Sequence, residues 1–296
     1  MITGKAKLAG VIGHPVSHSL SPVLHNYWLK RYGIDGAYVP LPVAPGAFET
    51  AIRGLQAAGF RGANVTIPHK EAAASIADAV DPLARIAGSV NTLVFREDGT
   101  IHGSSTDGMG YVASLEAEGV SLADLASRGS ALLLGAGGAA RSIATSLMEQ
   151  GVSVILSNRT GERADALARE LAAAWQSHMN KAAPSLTTIP WDSWETALGD
   201  VSLLVNTTSL GMQGGPAPDW KPDLAHSPTH LVVSDIVYVP RETPFLRAAT
   251  ARRLKTVGGL GMLLHQARPG FRAWFGTEAE VDAATVEHVL AALKQR

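Results

Sequence analysis

Glycines 135 and 137 lie at a spacing that proteins use to bind phosphate groups. They begin the pattern Gly-x-Gly-x-x-Ala, in which Ala140 takes the third position. The two glycines allow a tight turn and a close approach of the backbone to a pyrophosphate, and the small third residue lets helix and strand pack closely. The helix that follows would offer free N–H groups and the positive end of its dipole to phosphate. The pattern therefore predicts a dinucleotide site.

Four polar residues beyond this turn indicate which dinucleotide binds. Asn158, Arg159 and Thr160 follow the second predicted strand, and Arg163 lies one helical turn further on. NAD-binding folds place an acidic residue roughly 20 positions after the first glycine to hold the ribose 2′-hydroxyl, and this chain has no acid there. Two guanidinium groups and neutral donors suit a 2′-phosphate instead. We therefore predict NADP(H) as cofactor, the alternative being that both arginines are ordinary surface charges.

Lys70 and Asp107 could handle the proton that carbonyl reduction by a nicotinamide requires. Lys70 follows a predicted strand and Asp107 lies in a predicted linker, so both could face a cleft. A lysine ammonium in a desolvated site can polarise a carbonyl and donate a proton, and a nearby carboxylate can hold it in place. Spacing alone leaves two simpler interpretations open: a solvated lysine at a helix start, and an aspartate that caps a helix.

Ser19, Ser21 and Thr66 carry hydroxyl groups suited to a small anion such as a carboxylate. Ser21 stands before a proline and is predicted to be the N-cap of a helix, which is a competing interpretation of its role. His14 and His18 lie four positions apart on a proline-interrupted loop with no further ligand cluster nearby, so we predict no metal site.

The patterns around these residues are typical of an α/β fold. Strands are predicted at 131–134, 152–156, 201–205 and 231–237. Because they alternate with helices, they indicate a parallel sheet whose ligand lies beyond the carboxyl ends of the strands. Irregular segments are predicted at 103–108, 175–190 and 213–228, the first of them as a linker.

Both ends of the chain add further elements. A helix is predicted from Ser21 and a strand at 63–67, and a hairpin turned at Asp98-Gly99 completes a first α/β unit. Two helices are predicted near the C-terminal end, the last opened by a capping box of Thr277 and Glu280.

Composition excludes several functional classes. A length of 296 residues predicts about two domains. The 25 basic and 26 acidic residues give a net charge of −1 with no basic block, so nucleic acid is not an expected partner. The absence of cysteine excludes disulfides, thiolate metal sites and cysteine nucleophiles. No apolar run reaches the ~18 residues of a membrane span and no secretory signal precedes the first strand, so we expect a cytoplasmic protein.

The motifs of this chain resemble those of the shikimate dehydrogenase family over nearly its whole length. In order and separation, the matching segments are 19–22, 64–70, 88–92, 106–108, 135–139, 158–160 and 259–266. The resemblance implies reduction of 3-dehydroshikimate to shikimate with NADPH, on the route through chorismate to aromatic amino acids. Two positions depart from the family pattern: Ser105 stands where asparagine is usual, and Gly258 where aspartate is common.

The resemblance also implies roles for three sets of residues. The substrate carboxylate, ring hydroxyls and cleft wall would be contacted by Ser19, Ser21, Thr66, Asn91, Tyr238 and Gln266. The catalytic pair would be Lys70 and Asp107. The cofactor would be bound by Gly135, Ala136, Gly137, Gly138, Ala139, Asn158, Arg159, Thr160, Arg163 and Gly259.

The domain organisation implied by the resemblance is discontinuous. Residues 1–106 would form a substrate-binding and catalytic domain, 107–258 a Rossmann-like NADP-binding domain, and 259–296 helices that complete the first domain. The protein would act on a small molecule as a monomer or homodimer. Two alternatives stay open: a quinate/shikimate dehydrogenase that uses NAD, and a non-catalytic NADP-binding sensor.

Overall fold

The chain divides into two compact units in the computed structural model, which describes residues 2–294. The terminal unit contains the residues up to Thr106 and from Leu263 onwards, and the central unit contains Asp107–Met262. The second boundary lies after Met262, within a helix that begins at Leu260. The central unit is thus inserted into the sequence of the terminal unit.

Alternating strands and helices form the first part of the terminal unit. They are β1 (Lys7–Gly13), α1 (Ser21–Arg31), β2 (Gly36–Pro42), α2 (Phe48–Ala57), β3 (Gly62–Val65), α3 (Lys70–Ile76), β4 (Ala79–Val80), α4 (Pro82–Ala87), β5 (Thr92–Phe95) and β6 (Ile101–Ser104). The sheet has the order β2-β1-β3-β5-β6-β4; β1 pairs parallel with β2 and β3, and β5 pairs antiparallel with β3 and β6. Ile12, Ile52 and Leu93 lie in its buried core. The predicted hairpin is confirmed, with Gly99 at φ +83° in its turn.

The helix predicted to be capped by Ser21 begins differently. Leu20 occupies the N-cap position and makes no side-chain cap bond, so Ser21 is the first helical residue. The N-cap prediction for Ser21 is therefore wrong.

The segment 103–108, predicted to be a linker, does join the two units, whose boundary follows Thr106, but it is not irregular. After β6 only Ser105 intervenes before the next helix, α5 (Thr106–Ala117). Asn91 Oδ1 accepts a hydrogen bond of 2.8 Å from the Thr106 N–H, and this bond fixes the start of α5. The segment is polar and rich in small residues because it makes buried hydrogen bonds.

Parallel strands and covering helices form the rest of the central unit. They are α6 (Leu122–Arg128), β7 (Ser130–Leu134), α7 (Gly138–Glu149), β8 (Val154–Ser157), α8 (Gly161–His178), β9 (Leu186–Thr188), β10 (Val201–Asn206), β11 (Val232–Asp235), α9 (Pro244–Ala251) and β12 (Lys255–Gly258). The sheet order is β12-β11-β10-β7-β8-β9, with parallel pairing throughout. Counted within the unit this is 6-5-4-1-2-3, the doubly wound order of a Rossmann fold. The predicted α/β class with a Rossmann-like domain is confirmed.

Segment 175–190 is not wholly irregular, contrary to prediction. α8 continues to His178, and β9 adds an edge strand to the sheet by backbone pairing with β8. A three-residue strand carries no periodic pattern, so only its partner reveals it. Segment 213–228 contains turns and irregular backbone, as predicted.

The last described helices are α10 (Leu260–Phe275) and α11 (Ala283–Leu293). Arg31 of α1 donates two hydrogen bonds, of 2.9 and 2.7 Å, to the carboxylate of Asp282. Asp282 is also the N-cap of α11 and accepts a bond from the Thr285 N–H, so the capping box predicted at Thr277 and Glu280 is wrong. Among residues 2–294, none of the helices has the length and apolarity of a membrane span.

Candidate active site

Asn91 lies at the centre of a buried hydrogen-bond network in the terminal unit. Its Oδ1 accepts from the Thr106 N–H at 2.8 Å, and its Nδ2 donates to Thr106 Oγ1 at 3.1 Å. Thr106 Oγ1 donates to Gln266 Oε1 at 3.5 Å, and Gln266 Nε2 donates to the Leu263 carbonyl. Asn91 and Gln266, both predicted to contact substrate, are thus brought together. Sequence reasoning gave no role to Thr106, which connects them.

The same network continues through two further residues that sequence reasoning missed. Asn64 Nδ2 donates to the Asn91 carbonyl at 3.2 Å and to Thr92 Oγ1 at 3.0 Å. Its Oδ1 accepts a hydrogen bond of 2.6 Å from the Tyr38 hydroxyl. Burial raises the pKa of Tyr38 well above its usual value, with the Ser21 side chain acting in the opposite direction, so the phenol remains protonated. Asn64 lies in the matching segment 64–70, but its residue type alone did not predict this contact.

Ser19 and Ser21 lie at the start of α1. The Ser21 N–H donates to Ser19 Oγ at 3.3 Å, and Ser19 N–H donates to the Val16 carbonyl. Ser21 is buried, whereas Ser19 is half-buried. The two hydroxyls predicted to bind a carboxylate therefore flank one helix N-terminus, where an anion is favoured.

Lys70 is the first residue of α3, in a turn anchored on both sides. The turn is closed by a bond from the His69 N–H to the Thr66 carbonyl, and the Lys70 carbonyl accepts from the Val90 N–H at 3.1 Å. His69 is buried and its Nε2 lies 2.7 Å from the Val43 carbonyl. Packing of His69 thus fixes the backbone that presents Thr66 and Lys70, both of which are half-buried.

Asp107 belongs to the central unit and lies in the first turn of α5, one residue past its start. Gly108, which follows it, packs tightly on α7: a Cβ atom there would lie 2.2 Å from the Ser142 carbonyl oxygen and from Ser146 Oγ. Only glycine allows this approach, so the residue after Asp107 is fixed by helix packing. The sequence motif contained this glycine, but its packing partner was not predictable.

The predicted pyrophosphate turn joins β7 to α7. It is formed by Gly135, Ala136, Gly137, Gly138 and Ala139. Gly135 has φ +117°, and a Cβ atom there would lie 2.6 Å from Thr207 Oγ1. A Cβ at Gly137 or Gly138 would meet no atom within 4 Å, and the first turn of α7 contains no acidic residue. The open helix start without acidic residues fits a pyrophosphate, because the first N–H groups of a helix have no partner within the helix.

The predicted 2′-phosphate residues surround the start of α8. Asn158 Nδ2 donates to the Thr160 carbonyl at 2.8 Å, and Thr160 holds the N-cap position without a side-chain cap bond. Arg159 and Arg163 are exposed. Within the part of the chain that the structure describes, neither guanidinium has an acidic partner. Both charges are therefore available to an anion.

Asp235 anchors the loops at the carboxyl ends of β10 and β11. Its carboxylate accepts from Thr243 Oγ1 at 2.6 Å, from Asn206 Nδ2 at 3.0 Å and from the Val237 N–H at 3.0 Å. Burial raises the pKa of Asp235 to about 6, and these three bonds act in the opposite direction. Tyr238, predicted to line the cleft, is half-buried and lies three residues beyond this anchor.

Gly259, a predicted cofactor contact, is in close contact with the backbone of this region. A Cβ atom there would lie 2.2 Å from the Ile236 carbonyl oxygen. At Gly258 the nearest atom would be 3.7 Å away, so that position has room for a side chain. Among residues 2–294, no group of three or more histidine, aspartate or glutamate residues is arranged to hold a metal ion.

Three family models match the chain. The shikimate dehydrogenase substrate-binding domain matches residues 11–93, the shikimate/quinate 5-dehydrogenase model matches 120–188, and the shikimate 5′-dehydrogenase C-terminal domain matches 259–285. These segments contain most of the predicted site residues.

Curated relatives and solved structures match nearly the full length. The chain is 49% identical to a shikimate dehydrogenase (NADP+) of Gluconobacter oxydans and 53% identical to one of Acidiphilium cryptum, in each case over 99% of both chains. A shikimate 5-dehydrogenase of Thermus thermophilus, solved in complex with NADP(H) and shikimate, is 36% identical with a TM-score of 0.80, and the match covers 98% of this chain and 100% of that one.

Proposed function

Because the chain belongs to the shikimate dehydrogenase family, we propose that Lys70 and Asp107 form the catalytic pair of its NADP-dependent reaction, the interconversion of shikimate and 3-dehydroshikimate. The chain is an oxidoreductase of that class, with NADP(H) as its cofactor. We further propose that the reaction serves chorismate and aromatic amino-acid biosynthesis. The names of the relatives at about 50% identity favour an enzyme over the sensor alternative.

The observation that carries the proposal is the way in which both residues are anchored to the surroundings of Asn91. The Lys70 carbonyl is bonded to the N–H of Val90, which directly precedes Asn91. The Thr106 N–H is bonded to Asn91 Oδ1, and Asp107 directly follows Thr106. An asparagine that binds a ring hydroxyl would therefore hold its ligand close to the backbone of both catalytic residues.

The chemistry divides between the cofactor and the protein. Bound NADPH supplies the hydride, and NADP+ accepts it in the opposite direction. Lys70 donates a proton to the carbonyl oxygen as the oxygen gains charge during reduction, and takes the hydroxyl proton back during oxidation. Asp107 holds the lysine ammonium in its charged, oriented form.

Substrate binding is proposed to use the buried network and the start of α1. Ser19 and Ser21 would bind the carboxylate, for which the helix N-terminus adds a favourable field. Asn91, Thr66 and Gln266 would bind the ring hydroxyls. The remaining proposed substrate contact is Tyr238.

Cofactor binding is proposed to use the glycine turn and the start of α8. The open N–H groups at Gly137 and Gly138 would bind the pyrophosphate, with Gly135, Ala136 and Ala139 shaping the turn. The 2′-phosphate would be bound by Asn158, Arg159, Thr160 and Arg163. The remaining proposed cofactor contact is Gly259, which follows β12.

The proposal is tested first by initial rates with shikimate or quinate, each with NADP+ or NAD+. A rate confined to shikimate with NADP+ is expected. Comparable rates with quinate or NAD+ would place the protein in the broader quinate/shikimate group, and no rate in any combination would contradict an enzymatic role.

Lys70→Ala tests the catalytic pair. Loss of the proton donor should lower kcat by roughly 10²–10⁴-fold. The KM for shikimate should change little, because the lysine acts mainly in the transition state. Lys30→Ala, at an exposed lysine of α1, is the matched control and should keep full activity. A fully active Lys70→Ala would remove Lys70 from the mechanism.

A further inference from the structure

We propose that Asn206 and Asp235 are positioning residues of the cofactor site, which hold segment 207–210 where the nicotinamide half of NADP(H) would lie. The inference rests on the proposed cofactor site at the glycine turn and at Arg159 and Arg163. It adds two buried residues and a segment for which no role was predicted. All of them belong to the central unit.

The order of the strands places the nicotinamide half beside β10. Counted within the unit, β7 is the first strand and β10 the fourth, and the two are neighbours in the sheet. A dinucleotide lies across the point where the strand order reverses, with one nucleotide on each side. The residues proposed to bind the 2′-phosphate of the adenosine half follow β8. The other side begins at β10, so the nicotinamide half would lie against the segment that follows β10.

Segment 207–210 is in contact with the glycine turn. The Thr207 N–H and hydroxyl both donate to the Leu134 carbonyl, at 2.9 and 2.7 Å. Leu134 is the last residue of β7, and the turn begins at the next residue. Thr207 packs so closely on that residue, Gly135, that a Cβ atom there would lie 2.6 Å from Thr207 Oγ1. The segment therefore borders the proposed pyrophosphate site.

The Asn206 side chain fixes the shape of this segment. Its Oδ1 accepts from the Thr208 N–H at 3.1 Å and from Thr208 Oγ1 at 2.6 Å, and its Nδ2 donates to the Leu210 carbonyl at 3.0 Å. The second Nδ2 proton is donated to Asp235 Oδ1, also at 3.0 Å. The amide thus makes all four of the hydrogen bonds open to an asparagine. Because Asn206 is fully buried, a rotated amide would leave several of these groups unpaired.

Asp235 fixes Asn206 in turn. One of its carboxylate oxygens accepts from Asn206 Nδ2, and the other accepts from Thr243 Oγ1 at 2.6 Å. The Ile236 N–H donates to the Asn206 carbonyl at 3.1 Å. Backbone and side chains therefore join the ends of β10 and β11. An ionised carboxylate is a stronger acceptor than a neutral oxygen, so it holds the amide firmly.

Loss of the Asn206 amide would release one side of the cofactor site and leave the other intact. Its four bonds go to Thr208, Leu210 and Asp235, so the residues that follow β8 keep the contacts they have. Segment 207–210 would lose the bonds that fix its backbone. Hydride transfer depends on where the nicotinamide is held, so the reaction would slow although the adenosine half still binds.

Asn206→Ala tests the proposal. We expect kcat with shikimate and NADP+ to fall by about 10–100-fold, because a small misplacement of a reacting group has an effect of that size. Adenosine 2′,5′-bisphosphate, which carries the phosphate of the adenosine half but no nicotinamide, should inhibit the variant as well as it inhibits the parent. An unchanged kcat, or a Ki for the bisphosphate that rises as much as kcat falls, overturns the proposal.

Thr243→Val is the matched control. It removes the bond to the other oxygen of the same carboxylate at an equally buried position, and it lies at the start of α9 instead of in segment 207–210. Since it also removes the cap of α9, it should lower the melting temperature, but kcat should stay close to that of the parent. If both variants lower kcat equally, the effect is a general loosening and the proposal is overturned.

The part played by Asp235 is tested by Asp235→Ala and the conservative Asp235→Asn. Asp235→Ala should lower kcat as Asn206→Ala does, and the two effects should not add, because the residues share one bond. Asp235→Asn should recover most of the loss, since an amide oxygen can still accept from Asn206. Equal values of kcat in the two Asp235 variants overturn the role of Asp235.

Thr208→Val keeps the proposal testable if Asn206→Ala does not fold. Thr208 is half-buried, and its hydroxyl makes the shortest bond to Asn206. The variant should lower kcat, and Thr208→Ser, which keeps the hydroxyl, should restore it; a parental kcat in Thr208→Val overturns the proposal. The bisphosphate separates this inference from the proposed site, because a parent that it does not inhibit overturns the cofactor site on which the inference rests.

Discussion

Arg159 and Arg163 are the residues on which the choice of cofactor depends. Both are exposed and lie at the start of α8, where Thr160 leaves the N-cap position without a side-chain bond. A 2′-phosphate would add favourable charge to this helix N-terminus, whereas a 2′-hydroxyl would gain little from two guanidinium groups. NADP as cofactor, predicted from these residues, is confirmed by the names of the curated relatives.

Arg159→Ala should therefore raise the KM for NADP+ by about tenfold or more, through loss of a charge-assisted hydrogen bond. The KM for NAD+, which lacks the phosphate, should change little. Arg169→Ala, at an exposed arginine of the same helix, provides the control for lost surface charge. Equal effects on both cofactors would place Arg159 outside the phosphate site.

The sequence predicts site residues that form a local pattern, but not those that depend on contacts between distant segments. The glycine pattern at 135–140 is local, and the structure confirms a strand, a turn and a helix there. The hydrogen bond from Tyr38 to Asn64 is not local, since it needs β2 and β3 to be already placed. The residue types gave no signal for it. The same holds for Thr106, which contacts Asn91 and also Gln266, 160 positions further along the chain.

At the scale of elements, β11, β12 and the start of α10 meet with almost no free space at Gly259. A methyl group there would lie 2.2 Å from the Ile236 carbonyl oxygen, a contact that backbone movement alone can relieve. The neighbouring position 258 has its nearest atom at 3.7 Å. Close packing therefore requires glycine at position 259, whereas position 258 has room for a side chain.

Gly259→Ala should lower the melting temperature of the central unit by several degrees, since overpacking of about 1–3 kcal/mol is expected. It should also raise the KM for NADP+, because Gly259 is itself a proposed cofactor contact. Gly258→Ala is the control, differing by one position, and should be close to neutral. Calorimetry of the two variants makes the comparison, and equal melting temperatures would contradict the packing argument.

Whole elements were predictable in proportion to their length and periodicity. The strands of the doubly wound sheet that border the glycine turn are confirmed, because their apolar runs are long and are bounded by polar residues. The three-residue β9 is defined by its hydrogen bonds to β8, which no local pattern reveals. The composition of segment 103–108 predicts irregular backbone, because small polar residues are common both in loops and in buried hydrogen-bond networks.

At the scale of the whole molecule, acid should act differently on the two units. His25 in the terminal unit is wholly buried, and burial lowers its pKa to about 3. As pH falls below about 6.5, the unfolded chain binds a proton at this histidine and the folded unit does not. The free energy of unfolding of the terminal unit therefore decreases as pH falls from about 6.5 toward 3.

Asp235 in the central unit has the opposite effect. Its folded pKa of about 6 lies above the value of about 4 in the unfolded chain. Between these values the folded unit binds more protons, so its free energy of unfolding rises as pH falls from 6 to 4. Between pH 6.5 and 4.5 the free energy of unfolding of the terminal unit should fall by about 2–3 kcal/mol because of His25, whereas the titration of Asp235 stabilises the central unit.

Proteolysis in urea at pH 6.5 and 4.5, with the fragments assigned by mass spectrometry, measures this difference. The urea midpoint of the terminal unit should fall more than that of the central unit. His25→Phe, which fits the aromatic surroundings, should reduce the fall, and His14→Phe, at an exposed histidine, should not. An equal fall in His25→Phe and the parent would exclude His25 as its cause.

The insertion of one unit within the other has a consequence for synthesis on the ribosome. The central unit can complete its sheet once β12 has emerged, because all of its strands lie between residues 130 and 258. The terminal unit must wait, since Gln266 and the partners of Trp28 and Arg31, Glu280 and Asp282, are made last. The nascent chain would therefore carry a folded nucleotide domain attached to an incompletely folded substrate domain. The apolar surface that the substrate domain exposes at this stage is of the kind that chaperones bind.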